Sequence, residues 1–150
     1  MNAKEYLSQI RDMDEVIRKD ILEKDTWLSL ATSLSVDSAG EKNNPNRNTH
    51  APYEKCIENA DELERRITAN IDALADLKIK IAEEIQQLEE HDDVIILMMR
   101  YIAMMKWEEI EDKFIQSEAT VMRKHNAALQ HFEEKHGKNL NLAKMRAYES

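Results

Sequence analysis

A chain of 150 residues holds one medium domain, or a small domain with an extended appendage. With 5% aromatic and 34% charged residues, two glycines and two prolines, it is composed for helices and leaves little room for strands. Its formal net charge of −9 is the reverse of the basic balance usual in a DNA-binding protein, so any such role must be confined to part of the chain.

That part can be located. Residues 1–90 carry 12 Lys+Arg against 20 Asp+Glu, and residues 91–116 carry 3 against 6. Residues 117–150 carry 6 against 4, the only segment with a positive balance. The single cysteine, Cys56, has no intramolecular partner, which points to a reducing compartment. No run approaches the ~18 apolar residues a membrane span needs, and no basic segment leads into an apolar signal. A cytoplasmic protein with no membrane contact is expected.

The first element is a helix from residue 3 to about residue 34, with Leu7, Ile10, Ile17, Ile21, Leu28 and Ala31 at helical spacing. Residues 35–52 break the pattern with Gly40, Pro45, Pro52 and four asparagines, and are expected to form a mobile loop. A second helix, Tyr53 to Glu90, carries Ala60, Ile67, Leu74, Ile81 and Leu88 at intervals of seven, with Leu63, Ile71, Leu77 and Ile85 between them. A seam of this length needs a partner. The first helix folded back antiparallel supplies one, and the flank left over points to a homodimer through this hairpin.

The acidic cluster Glu89, Glu90, Asp92 and Asp93 surrounds His91. Capping of a helix beginning at Val94 by Asp92 or Asp93 is the expected role, in preference to a metal site. Val94 to Met104 is apolar nearly all round and is read as buried. Trp107 to Phe114 forms a second short helix anchored by Trp107, with Glu108, Glu109 and Asp112 facing water. The third begins at the cap Ser117 and ends at Gly137 as a left-handed cap. Its outward positions are Glu118, Ala119, Thr120, Arg123, Lys124 and Asn126. His125, His131 and His136 are too irregularly spaced for metal ligands and are expected at the surface. Asn139 to Ser150 forms a short terminal helix carrying Leu140, Leu142, Met145 and Tyr148. Apolar residues Tyr101, Trp107, Ile110, Phe114, Val121 and Leu129 then make the core of a helix-turn-helix unit. The domains are residues 1–90, a helical hairpin, and residues 91–150, the helix-turn-helix with its tail.

The run from Leu97 to Leu129, through Arg100, Tyr101, Ile102, Trp107, Glu108, Glu109, Ile110, Phe114, Ser117, Thr120, Val121, His125 and Ala128, resembles region 4 of the sigma-seventy class of RNA polymerase sigma factors. It is more similar still to phage-encoded sigma-like regulators of the ArpU and RinA type. The likeness continues more weakly through residues 3–14 and through Leu30 to Ser33. It implies an all-α fold, a coiled-coil-like antiparallel hairpin followed by a helix-turn-helix domain, acting in the bacterial host cytoplasm. It also implies that the third helix enters the major groove of promoter DNA, with Arg123, Lys124 and Asn126 as readers and Thr120 as helper. RNA polymerase would be a further partner.

Two positions depart from that pattern: Glu111 stands where a small residue usually packs beneath the third helix, and Ile115 where the turn usually has glycine. Together with the −9 charge they support a second reading, a protein-binding module or inhibitor that keeps the helix-turn-helix shape and offers an acidic helical surface to a host protein. An enzyme is not expected: there is no glycine-rich phosphate loop and no nucleophile flanked by a base, and no cofactor or metal is implied.

Overall fold

The computed structural model describes residues 1–40 and 50–140, and every regular element among them is helical. Helix α1 spans Ala3–Gly40 and α2 spans His50–Gln86. Helix α3, His91–Leu97, runs directly into a π-helical turn, Met98–Ile102. Helices α4, Trp107–Phe114, and α5, Glu118–His136, follow, and a 3-10 turn, Gly137–Asn139, closes α5. Among the described residues no helix is long and apolar enough to cross a membrane.

The first two helices are longer at the expected loop than their composition implied. Residues 35–40 continue α1, and α2 already starts at His50, so the loop expected over residues 35–52 is helical at both ends. Pro52 is no obstacle, because it occupies the first turn, where a backbone N–H has no intrahelical acceptor to lose. The central part of that loop, residues 41–49, lies outside the described residues. So do residues 141–150, and with them Leu142, Met145 and Tyr148 of the expected terminal helix. At its start α1 is closed by a reciprocal cap: Glu5 N donates to Asn2 Oδ1 at 2.8 Å, and Asn2 Nδ2 donates to Glu5 Oε1 at 3.3 Å.

The described residues divide into two compact units, residues 1–14 with 73–140, and residues 15–40 with 50–72. Residue 90, the expected domain boundary, therefore falls inside the first unit. There the start of α1 contributes Ala3, Tyr6, Leu7, Ile10 and Met13 to the core, and the end of α2 contributes Leu74, Leu77, Ile81 and Ile85. Tyr6 is fully buried; its hydroxyl donates to the Glu84 carboxylate, and its ring stacks on Phe132 of α5 at 6.0 Å. His136 Nε2 donates to the Glu84 carbonyl at 2.8 Å. One turn of α2 thus holds both the first helix and the last.

The second unit pairs the rest of α1 with the rest of α2 around Ile17, Ala31, Cys56, Ala60, Leu63 and Ile67. Its seam carries a polar layer. Asp20 is 0% exposed, and Arg66 grips it through two hydrogen bonds of 2.9 and 2.8 Å. Asn70, one turn beyond Arg66, is equally buried, and its Nδ2 has no partner. A carboxylate withdrawn from water persists only while its counter-charge remains. Replacing Arg66 by Met keeps the aliphatic stem and removes the charge. The variant is expected to lose about 2–3 kcal/mol in urea unfolding, below the range for fully buried pairs because Arg66 keeps some contact with water.

Candidate nucleic-acid interface

The α4–α5 pair is built from the turn outward. Ser117 caps α5, its Oγ accepting from Thr120 N at 3.4 Å, in the position its residue type indicates. Between the helices Ile115 adopts φ 53°, ψ 46°, the left-handed conformation that a β-branched side chain resists. Its side chain gains nothing there, since it is 91% exposed. The geometry closes α4: the backbone N–H groups of Ile115 and Gln116 both donate to the Glu111 carbonyl, the latter at 3.3 Å, and three residues join α4 to α5. Met104, at φ 54°, marks a second left-handed position, where the π-helical turn gives way to α4.

The inner face of α5 is a single row, Val121, His125, Ala128, Phe132 and His136. Two members correct the expectation that these histidines are superficial: His125 is 4% and His136 6% exposed. His125 sits in an aromatic pocket, 5.7 Å from the Tyr101 ring and edge-on to Trp107 at 4.7 Å. The Tyr101 hydroxyl donates to its Nε2 at 2.7 Å. Burial, then the nearby Arg100 and Lys4 charges, pushes the His125 pKa down to about 4, so the ring is neutral. Burial pushes Tyr101 up to about 12. Arg100 lies over the Trp107 ring at 4.3 Å and donates to the Met105 carbonyl at 2.9 Å, fixing the start of α4. Of the expected core, Tyr101, Ile110 and Val121 are buried, whereas Trp107, Phe114 and Leu129 are half-buried.

The acidic cluster does not cap a helix at Val94. Helix α3 starts at His91, and its N-cap, Glu90, makes no side-chain bond. Asp93 is buried and accepts from His131 Nδ1 at 2.5 Å, tying α3 to α5. This hydrogen bond, then the Asp93 charge, raises the His131 pKa above its ordinary 6.5. Asp92 pairs with Lys124 at 3.4 Å. Among the described residues no group of three or more His, Cys, Asp or Glu is disposed to hold a metal ion. Gly137 is right-handed, at φ −51°, instead of the expected left-handed cap, and it continues α5 into the 3-10 turn.

Opposite the buried row lie Ala119, Arg123 and Asn126, all exposed. Thr120 is half-buried and engaged in the cap, 3.0 Å from Ser117 Oγ, and accepts from Arg123 Nη2 at 3.5 Å. Lys124 departs from the expected outward set: it is half-buried, held by Asp92 and lying over the Phe114 ring at 5.3 Å. Gln130 joins the outward line and was not singled out from the sequence. The spacing 123, 126, 130 is the signal that would have found it. Glu108, Glu109 and Asp112 leave α4 with an exposed acidic side.

The family described as "Protein of unknown function (DUF1492)" matches residues 41–133, which takes in α2, α3, α4 and most of α5. No curated protein and no solved structure matches the chain.

Three outcomes are expected from these local geometries. Ile115→Gly is expected to stabilise the protein by about 1 kcal/mol, read as a raised urea midpoint, because the left-handed strain is relieved and almost no buried area is lost. The histidines act in opposite pH windows. His125 has a depressed folded pKa, so its contribution is intact above 6.5 and falls away as pH drops from 6.5 towards 4. The stability of His125→Gln relative to the parent should therefore improve across that interval. His131 has a raised folded pKa, so its contribution is complete below 6.5 and is lost as pH climbs through the folded value. The deficit of His131→Ala should shrink as pH rises.

Proposed function

The chain belongs to the DUF1492 family, and from that premise we propose that it is a DNA-binding transcription regulator of the phage sigma-like kind. In this reading α1 and α2 form a helical hairpin, and α4, the turn and α5 form a helix-turn-helix whose last helix enters a promoter major groove. The observation that carries it is the left-handed Ile115 between α4 and α5. A short turn of this kind, with an unfavourable residue holding the geometry, supports a helix pair whose angle matters to its function. On α5 the exposed line Arg123, Asn126 and Gln130 has the chemistry of base-edge readout: Arg for guanine, Asn and Gln for adenine. Thr120 and Lys124 serve the site at its margin, Thr120 through the cap and Lys124 towards phosphate once released from Asp92.

The exposed acidic side of α4 favours a second reading. Glu108 and Glu109 would repel phosphates crossing the start of that helix, and suit a basic surface of a host protein, RNA polymerase included. One assay separates the two. Selection from random duplexes, followed by mobility shift between about 50 and 200 mM salt, is expected to give binding that weakens steeply with salt. Arg123→Ala should cost about 1–3 kcal/mol of affinity and relax the preference at one base position. Absence of a shifted band at the lowest salt, or an Arg123→Ala variant equal to the parent, would leave the protein-directed reading in its place.

A further inference from the structure

The second unit presents a face that its own helices leave uncovered. Among the described residues this unit consists of α1 from Glu15 and α2 up to Asp72, and two paired helices cover only one flank of each other. Along one uncovered flank of α1 stand Ile21 and Leu28, 41% and 38% exposed, with Lys24 between them. Along α2 stand Ile57, Glu64 and Ile71 at intervals of seven; Ile71 is 48% exposed and Ile57 is half-buried. These rows share one face. Lys24 and Glu64 form an ion pair across it, and Leu28 and Ile57 line the same groove.

The arrangement about the ion pair is self-complementary. Ile21 and Leu28 lie three and four residues to either side of Lys24, and Ile57 and Ile71 lie seven residues to either side of Glu64. At about 1.5 Å per residue, the outer pair stands about 10 Å from the centre in each direction. We propose that this face is the contact surface for a second copy of the chain, related by a two-fold axis that runs parallel to α1 and α2, between Lys24 and Glu64.

Such an axis lays α1 of each copy on α2 of the other, setting Ile21 against Ile71 and Leu28 against Ile57. It also brings Lys24 of each copy beside Glu64 of its mate, so charge is matched at the centre as apolar surface is matched on both sides. A contact built on one patch used twice closes after two copies and leaves no free end. Four partly exposed apolar side chains per copy put the contact at the small end of stable interfaces, with dissociation expected in the micromolar range. This inference does not rest on the DNA reading.

Sedimentation equilibrium of the full chain across the micromolar range is expected to give a monomer–dimer equilibrium. The double variant Ile21→Lys and Ile71→Lys is expected to be monomeric with unchanged helical circular dichroism. Leu30→Glu, on the opposite side of α1 and 44% exposed in the parent, is expected to remain dimeric. The axis is tested by mixing two variants, Lys24→Cys and Glu64→Cys, each in a Cys56→Ala background: mild oxidation should join one copy of each, whereas Lys24→Cys mixed with Glu58→Cys should stay unlinked. A monomer at every concentration overturns the proposal. A dimer indifferent to the double variant removes this face from it. Equal cross-linking of position 24 to positions 58 and 64 removes the axis. The cross-linking arm leaves Ile21 and Ile71 intact, so it decides the matter even if the double variant fails to fold.

Discussion

The buried row Val121, His125, Ala128, Phe132 and His136 fixes how α5 is turned about its axis. Three members of the row are tied to different parts of the first unit: His125 to Tyr101 beside the start of α4, Phe132 to Tyr6 of α1, and His136 to the Glu84 carbonyl of α2. Rotation of α5 would break all three at once. It would also leave a buried phenol and two imidazoles without partners, at a cost of about 1–3 kcal/mol each. Only because this orientation is held can the opposite line of Arg123, Asn126 and Gln130 count as a defined surface.

The ties to α5 differ in kind, and the difference has a physical reason. His125 works as a neutral acceptor in an aromatic pocket, where desolvation and two nearby cations exclude a proton. His131 sits at the rim, where the hydrogen bond to Asp93 and its charge favour the protonated ring. The first tie is insensitive to salt and weakened by acid. The second is screened by salt and weakened by base. The two ties therefore respond to pH in opposite directions.

Much of this was legible in the chain itself. The helical class follows from composition, the α2 seam from its intervals of seven, and the start of α5 from Ser117. What escaped did so for identifiable reasons. His125 and His136 read as surface residues because histidine is a polar type, yet 125, 128, 132 and 136 follow helical spacing and face the core. The true ends of α1 and α2 were hidden because Pro52 and Gly40 are breakers only inside a helix and are tolerated at its termini. Lys124 looked outward from its place in α5, but its long stem reaches sideways to Asp92, and no periodicity encodes that. The left-handed Ile115 contradicts its residue type and is held by the backbone hydrogen bonds that close α4, which no side-chain pattern encodes.

Within the second unit, polar groups interrupt what would otherwise be an apolar seam. Asp20, Arg66 and Asn70 give up hydrophobic area and in return define which residue of α1 faces which residue of α2, since a slip would strand the carboxylate away from its guanidinium. The same seam encloses Cys56, 3% exposed and the one thiol in the sequence. Its sulfur reaches water only when the two helices part locally. The protein thus carries its own stopwatch: the pace at which an aromatic disulfide reagent consumes that thiol counts the breathing of this helix pair, in native buffer and without any label.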